Sequence, residues 1–137
     1  MEYRDLAHEL VILYRELLHN PAHQKASRLI KGELYALNIL SSMEGDVHPK
    51  ELSKQMSVST ARVTTILNHL EEKKLIQRRV DPNDSRQFII TPTDAGRQLL
   101  ETARADFYAD VRAMEERLGP EDTEAFIRIV KKFLADY

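Results

Sequence analysis

Residues 47–96 read VHPKELSKQMSVSTARVTTILNHLEEKKLIQRRVDPNDSRQFIITPTDAG, and the fold is decided there. His48–Pro49 opens a helix with proline at the first helical position, where a missing N–H costs nothing. That helix runs to about Met56, and Ser57–Val58 turns the chain. Ser59 or Thr60 can cap a second helix to about Lys74, with Val63, Ile66, Leu67 and Leu70 at the i, i+3, i+4, i+7 spacing of a buried face. The opposite face holds Thr60, Ala61, Arg62, Thr64, Thr65, Asn68 and His69. Leu75 to Val80 and Gln87 to Thr91 then read as short strands, joined by the turn formers Asp81–Pro82–Asn83–Asp84–Ser85. Two short helices with a tight turn and a hairpin behind them make a winged helix-turn-helix.

Outward from this stretch, Leu6, Leu10, Leu13, Tyr14 and Leu17 put an apolar stripe on a helix from about Tyr3 to Leu18, which Asn20–Pro21 ends. A second helix is predicted from about Ser27 to Met43, apolar on more than one side through Leu34, Tyr35, Leu37, Ile39 and Leu40. After the wing, Pro92 breaks the second strand and Thr93 caps a long helix, whose Leu99, Leu100, Ala103, Phe107, Val111, Met114 and Leu118 repeat with a near-heptad period until Gly119–Pro120. A last helix runs to about Ala135 with Phe126, Ile127, Ile129, Val130, Phe133 and Leu134. The chain is mainly α, α+β by virtue of the hairpin, and residues 1–137 form one domain. Within it, 34–92 are the winged helix-turn-helix, and 1–20 and 93–137 are flanking helices. Their apolar seams have few elements of the same chain to cover them, which favours dimerisation helices in a homodimer over packing within a monomer.

Composition narrows the chemistry. With no cysteine among 137 residues, disulfides, thiolate metal sites and thiol redox switching are excluded. Met1, Glu2, Arg4 and Asp5 do not resemble a secretion leader, and no stretch approaches a membrane span, so a soluble cytoplasmic protein is expected. No nucleophile elbow, phosphate-binding glycine loop or paired carboxylates appear, so no catalytic residues and no cofactor are expected. His19 and His23 are four apart, but Pro21 separates them and no ligand cluster surrounds them, so no metal site is assigned. The net charge of −2 argues at first against a nucleic-acid partner. Its distribution reverses the argument: residues 47–92 carry eight Lys plus Arg against five Asp plus Glu, and the rest of the chain twelve against seventeen. The basic side coincides with the helix-turn-helix, whose second helix shows no carboxylate on its polar face before Glu71. An ordinary solvated face would interleave Glu and Lys. Ser59, Thr60, Arg62, Thr64, Thr65 and Asn68 are therefore expected to meet double-stranded DNA in the major groove, the short hydroxyls allowing close approach. The alternative is a winged-helix protein-interaction module that binds no DNA.

From about Leu34 to Gly96 the chain resembles the MarR family of winged-helix transcriptional regulators. The matching pieces are Pro49–Ser53, Val58–Ser59 through Val63–Thr64, Leu70–Ile76 and Arg78–Arg79. Most specific is the wing, Asp81–Pro82–Asn83–Asp84–Ser85–Arg86, followed by Thr93–Asp94–Ala95–Gly96, which looks like the family's D-x-R…T-x-x-G signature. The resemblance implies a sequence-specific homodimeric regulator, most often a repressor on an inverted repeat. It implies that Arg86 reaches into the minor groove and that Asp84 holds Arg86 and the loop, where a surface ion pair is the plainer reading. It implies a close approach at Gly96. Family members commonly bind small aromatic or anionic effectors between the dimerisation helices and the winged region; Arg15, Tyr35 and Tyr108 are the corresponding candidates here. Three positions depart from the pattern. Pro92 is expected to shorten the second strand, His48 to start its helix less firmly than a capping Ser or Thr, and Ser57 to alter the geometry of a turn where glycine is frequent.

Overall fold

The computed structural model describes residues 2–135; positions 1, 136 and 137 of the terminal regions lie outside the described residues. Eight elements follow one another: α1 (Tyr3–His19), α2 (Pro21–Leu29), α3 (Gly32–Ser42), α4 (Pro49–Met56), α5 (Thr60–Glu72), β1 (Ile76–Asp81), β2 (Asp84–Pro92) and α6 (Asp94–Leu134). α6 is broken at Gly119, whose φ of 79° suits glycine and which is followed by Pro120. Every buried hydrophobic side chain among the described residues lies between Leu34 and Leu100. Leu37 and Leu40 of α3, Leu52 and Met56 of α4, Val63, Ile66, Leu67 and Leu70 of α5 and Ile76 and Ile90 of the sheet form one cluster. The buried face expected for α5 is the face observed. No helix of the described residues is long and apolar enough to cross a membrane.

The sheet is an antiparallel pair in register from Ile76↔Pro92 to Val80↔Phe88, with an irregularity before Asp81↔Asp84. Val47 adds one further bond at its margin, its carbonyl accepting from the Ile90 N–H at 2.9 Å. α5 closes with the Leu75 N–H on the Leu70 carbonyl at 2.9 Å, which turns the chain directly into β1.

Four sequence expectations are corrected. The helix predicted over 27–43 begins only at Gly32, because the chain breaks at Ile30–Lys31. Asn20–Pro21 ends α1 but also starts α2: the Asn20 side chain accepts from the Ala22 N–H at 2.9 Å with proline at the first helical position. Pro92 does not shorten β2, which runs to it; a proline lacks only the N–H, and the last position of a strand can do without one. The wing turns on Pro82–Asn83, two residues, with Asp84–Arg86 already in the strand.

α6 is anchored to the winged region at its first turn. The Thr93 N–H donates to the Leu75 carbonyl at 3.0 Å and the Thr93 hydroxyl to the Lys74 carbonyl at 2.8 Å. The same Thr93 oxygen caps α6 by accepting from the Gly96 N–H at 3.1 Å. A methyl group at Gly96 would stand 2.2 Å from the Leu75 carbonyl oxygen, so the helix reaches this position only without a side chain there. Further along α6, Arg104 reaches the Asn38 side chain on α3, and Asp110 pairs with Lys25 on α2 at 2.9 Å. Gly96→Ala is expected to destabilise the fold by about 1–3 kcal/mol, as at other overpacked sites, read as a lower urea midpoint with an unchanged slope; an unchanged midpoint would mean that the seam relaxes freely.

Candidate nucleic-acid interface

α5 is joined to α4 by Ser57–Val58–Ser59. Ser57 adopts the left-handed conformation (φ 54°, ψ 42°) in place of the frequent glycine, so the turn keeps its geometry. Two bonds close it: the Val58 N–H to the Ser53 carbonyl at 3.2 Å, and the Ser53 hydroxyl to the Val58 carbonyl at 2.7 Å. Ser59 caps α5, its hydroxyl accepting from the Arg62 N–H at 3.1 Å. Its first task is therefore structural.

Thr60, Arg62, Thr64, Thr65 and Asn68 all lie exposed on one side of α5, opposite its buried residues. The Thr64 hydroxyl donates to the Thr60 carbonyl at 3.0 Å and the Thr65 hydroxyl to the Ala61 carbonyl at 3.2 Å. Both threonines thus spend their proton on the helix and present outward a methyl group and an oxygen lone pair. Arg62 makes no side-chain hydrogen bond or ion pair among the described residues.

A residue without an assigned role at the level of sequence, Arg78 on β1, joins the wing to α5. Its Nε donates to Glu71 Oε2 at 2.8 Å, and its Nη2 to Glu71 Oε1 at 3.1 Å and to Asn68 Oδ1 at 2.9 Å. The hydrogen bond from Arg78 holds the Glu71 carboxyl below its ordinary value and neutralises the first carboxylate on this side of α5. The pairing of a strand arginine with an Asn and a Glu three apart on the preceding helix was the available signal.

On the wing, Asp84 Oδ1 accepts from both the Arg86 N–H and its Nε at 3.1 Å. The arginine stays 89 % exposed, so its guanidinium is oriented and still available. Arg86 lowers the Asp84 carboxyl pKa through these bonds. Beneath the wing, the polar side chain buried among the described residues is Asp81. It accepts from the Asn83 N–H at 2.8 Å and meets His48 Nε2 at 2.7 Å. The His48 N–H donates to Glu51 Oε2 at 2.8 Å, so α4 does start firmly: the glutamate supplies the cap the histidine was expected to lack. His48 thereby ties the start of the helix-turn-helix to the wing turn. The bond to Asp81 pushes its imidazole above the usual value; the Asn83 amide, then His48, hold Asp81 below its own.

The three effector candidates occupy separate elements: Arg15 on α1, Tyr35 on α3 with its hydroxyl 3.4 Å from the Gln55 carbonyl, and Tyr108 exposed on α6. Two clefts border α6, one of about 530 Å³ that includes Asp46, Arg97, Glu101 and Arg104, another of about 320 Å³ that includes Arg28, Lys31, Glu33 and Lys73; none of the three candidates lines either.

Residues 23–87 match the model of the MarR family. YwhA of Bacillus subtilis (strain 168), an uncharacterized HTH-type transcriptional regulator, is 34% identical over 83 residues, which are 61% of this chain and 60% of YwhA, less than two thirds of that relative. The HTH-type transcriptional repressor YetL of the same organism is 25% identical over 118 residues, 85% of this chain and 71% of YetL. MepR, a transcription regulator of the Staphylococcus aureus multidrug efflux pump MepA, shares the fold with a TM-score of 0.73 at 23% identity, over 99% of this chain and 98% of MepR. Streptococcus pneumoniae FabT in complex with DNA does so with a TM-score of 0.68 at 21% identity, over 98% and 99%.

The His48–Asp81 clamp has a defined pH window. Glu51 on α4, Asp81 on β1 and Asp84 on β2 favour the imidazolium; Arg79 on β1, itself 3.7 Å from Asp46, acts on Asp81. A raised imidazole pKa stabilises the fold fully below about pH 6.5 and ceases to do so above the folded value; the lowered Asp81 value contributes above its unfolded pKa and is lost in acid. The thermal-stability advantage of the wild type over His48→Gln is therefore expected to be greatest near about pH 6 and to shrink in both directions. A difference independent of pH would show that the clamp carries no charge.

Proposed function

We propose that this chain, whose residues 23–87 match the MarR family, is a member of that family and a homodimeric winged helix-turn-helix regulator that represses transcription by occupying an inverted-repeat operator in double-stranded DNA. The observation that carries the proposal is the exposed side of α5, which bears hydroxyl, amide and guanidinium groups, has its first carboxylate neutralised by Arg78, and is joined through Arg78 to the hairpin that carries the exposed Arg86. Thr60, Arg62, Thr64, Thr65 and Asn68 read or position on the major groove, with Ser59 at the helix start where N–H groups meet phosphate. Arg86, oriented by Asp84, enters the flanking minor groove, where narrow segments concentrate negative potential. The DNA-bound relative FabT and the repressor YetL support the partner and the sign of regulation.

The dimer rests on a different observation. No residue of α1 is buried, and Leu6, Leu10, Leu13 and Leu17 are each two-fifths exposed or more, as are Phe126, Ile127 and Ile129 beyond the Gly119 break. Apolar stripes of this extent call for a cover, and a second copy supplies one related by twofold symmetry. The helices within 1–20 and 93–137, α1 and α6, are the dimerisation helices of this proposal, and 34–92 the DNA-binding region. Two copies of α5 then enter successive major grooves roughly 34 Å apart. An aromatic or anionic effector engaging Arg15, Tyr35 or Tyr108 regulates binding only if it prefers one spacing of the two helices, since equal affinity for both shifts nothing.

Arg86→Ala is expected to weaken operator binding in a fluorescence-polarisation titration and to reduce the log–log salt slope by about 1; unchanged affinity and slope would remove Arg86 from the interface. In sedimentation velocity the wild type should run as a dimer of the 15.9 kDa chain, and the double variant Leu13→Glu/Ile129→Glu as a monomer that keeps its helical circular dichroism. A monomeric wild type would overturn the symmetric operator.

A further inference from the structure

We propose that Arg78 fixes the amide of Asn68 so that it offers DNA hydrogen-bond donors alone, making guanine the preferred base beneath it; this rests on the DNA-binding reading above. The orientation of the amide follows from chemistry. A guanidinium has five N–H donors and no acceptor, so the atom of Asn68 that lies 2.9 Å from Arg78 Nη2 must be the carbonyl oxygen. Arg78 cannot readily turn away, because Glu71 grips its Nε and Nη2 in a charge-assisted fork at 2.8 and 3.1 Å. Its position on β1 is set in turn by the Arg78↔Ile90 pairing with β2.

An unconstrained asparagine reads adenine with both ends of the amide, accepting from N6 and donating to N7. Here Arg78 occupies the side of the oxygen, and the NH2 group is the end left to face the groove. Two hydrogens on one nitrogen match the edge that puts two acceptors side by side, O6 and N7 of guanine; thymine O4 and adenine N7 offer one each, and the cytosine amino group offers a donor. The neighbouring Thr64 and Thr65 have their hydroxyl protons bound to the helix, so Asn68 is the donor in its part of α5. Arg78 is thus a positioning residue: it touches no base and acts through the amide.

Selection from a random duplex pool, carried out on the wild-type dimer, Arg78→Lys and Asn68→Asp, tests this. Arg78→Lys keeps the charge and removes the fork, and Asn68→Asp replaces the donor with an acceptor of the same shape. The wild type should enrich guanine at one position of each half-site by roughly tenfold over adenine. Arg78→Lys should equalise or reverse that ratio there and leave the other positions unchanged. Asn68→Asp should abolish the guanine preference at the same position. A selected operator with the same base preferences in all three proteins would overturn the assignment and leave DNA binding standing; a wild type that selects no sequence would overturn both.

Discussion

The approach of α6 to the carbonyl of Leu75 is the constraint on which the arrangement depends. At 2.2 Å from where a Cβ would be, the oxygen of Leu75 leaves room at position 96 for glycine and nothing larger. The Thr93 bonds to Lys74 and Leu75 pull the start of α6 against the end of α5 and the start of β1 from the other side. Three elements therefore meet within one helical turn, held through backbone atoms and the Thr93 hydroxyl. Because backbone geometry is stiffer than side-chain packing, the direction in which α6 leaves the winged region is fixed more tightly than its own contacts with α2 and α3 would require.

Against this rigid seam, the polar network on the exposed side of α5 and on the wing is a set of committed groups. Ser59 caps, Thr64 and Thr65 bond back to their own helix, Asn68 is held by Arg78, and Arg86 by Asp84. Each commitment removes a rotamer choice in advance, so less conformational entropy would remain to be lost on binding a partner. The clamp through His48 extends the same logic to the wing as a whole: the hairpin is tied to α4 through His48 and to α5 through Arg78, at points 33 and 10 residues apart in sequence.

What could be read from the sequence follows from range. The buried face of α5 and the wing turn announce themselves within a dozen residues, by a period or by a run of turn formers; the face is where it was expected, and the turn lies within the expected run but is tighter, Pro82–Asn83 alone. Gly96 was legible as a close approach, although its partner atom was not. The break at Ile30 was hidden by apolar residues on either side, which look like one continuous stripe. α2 was hidden for the opposite reason: PAHQKASRL has too few apolar residues to show a period, so Asn20–Pro21 read as a stop without its second meaning as a cap. His48–Asp81 and Arg78–Asn68–Glu71 leave no periodic trace, since the partners come together only when the hairpin folds back. The histidine was read by what it lacks as a cap, and the acid that completes it lay three residues on.

The stretch of α6 from Asp94 to the break at Gly119 is an unbroken helix of about 37 Å. Seized at one end by the Gly96 seam and carrying apolar residues at the other, it has the mechanics of a strut. A tilt of about ten degrees at its distal end displaces the proximal end by about 6 Å, more than one helical pitch. The winged region is therefore connected to the far end of α6 through a lever with substantial gain. A change of that size in the angle at Gly119 would carry the winged region through about half the roughly 12 Å width of a major groove.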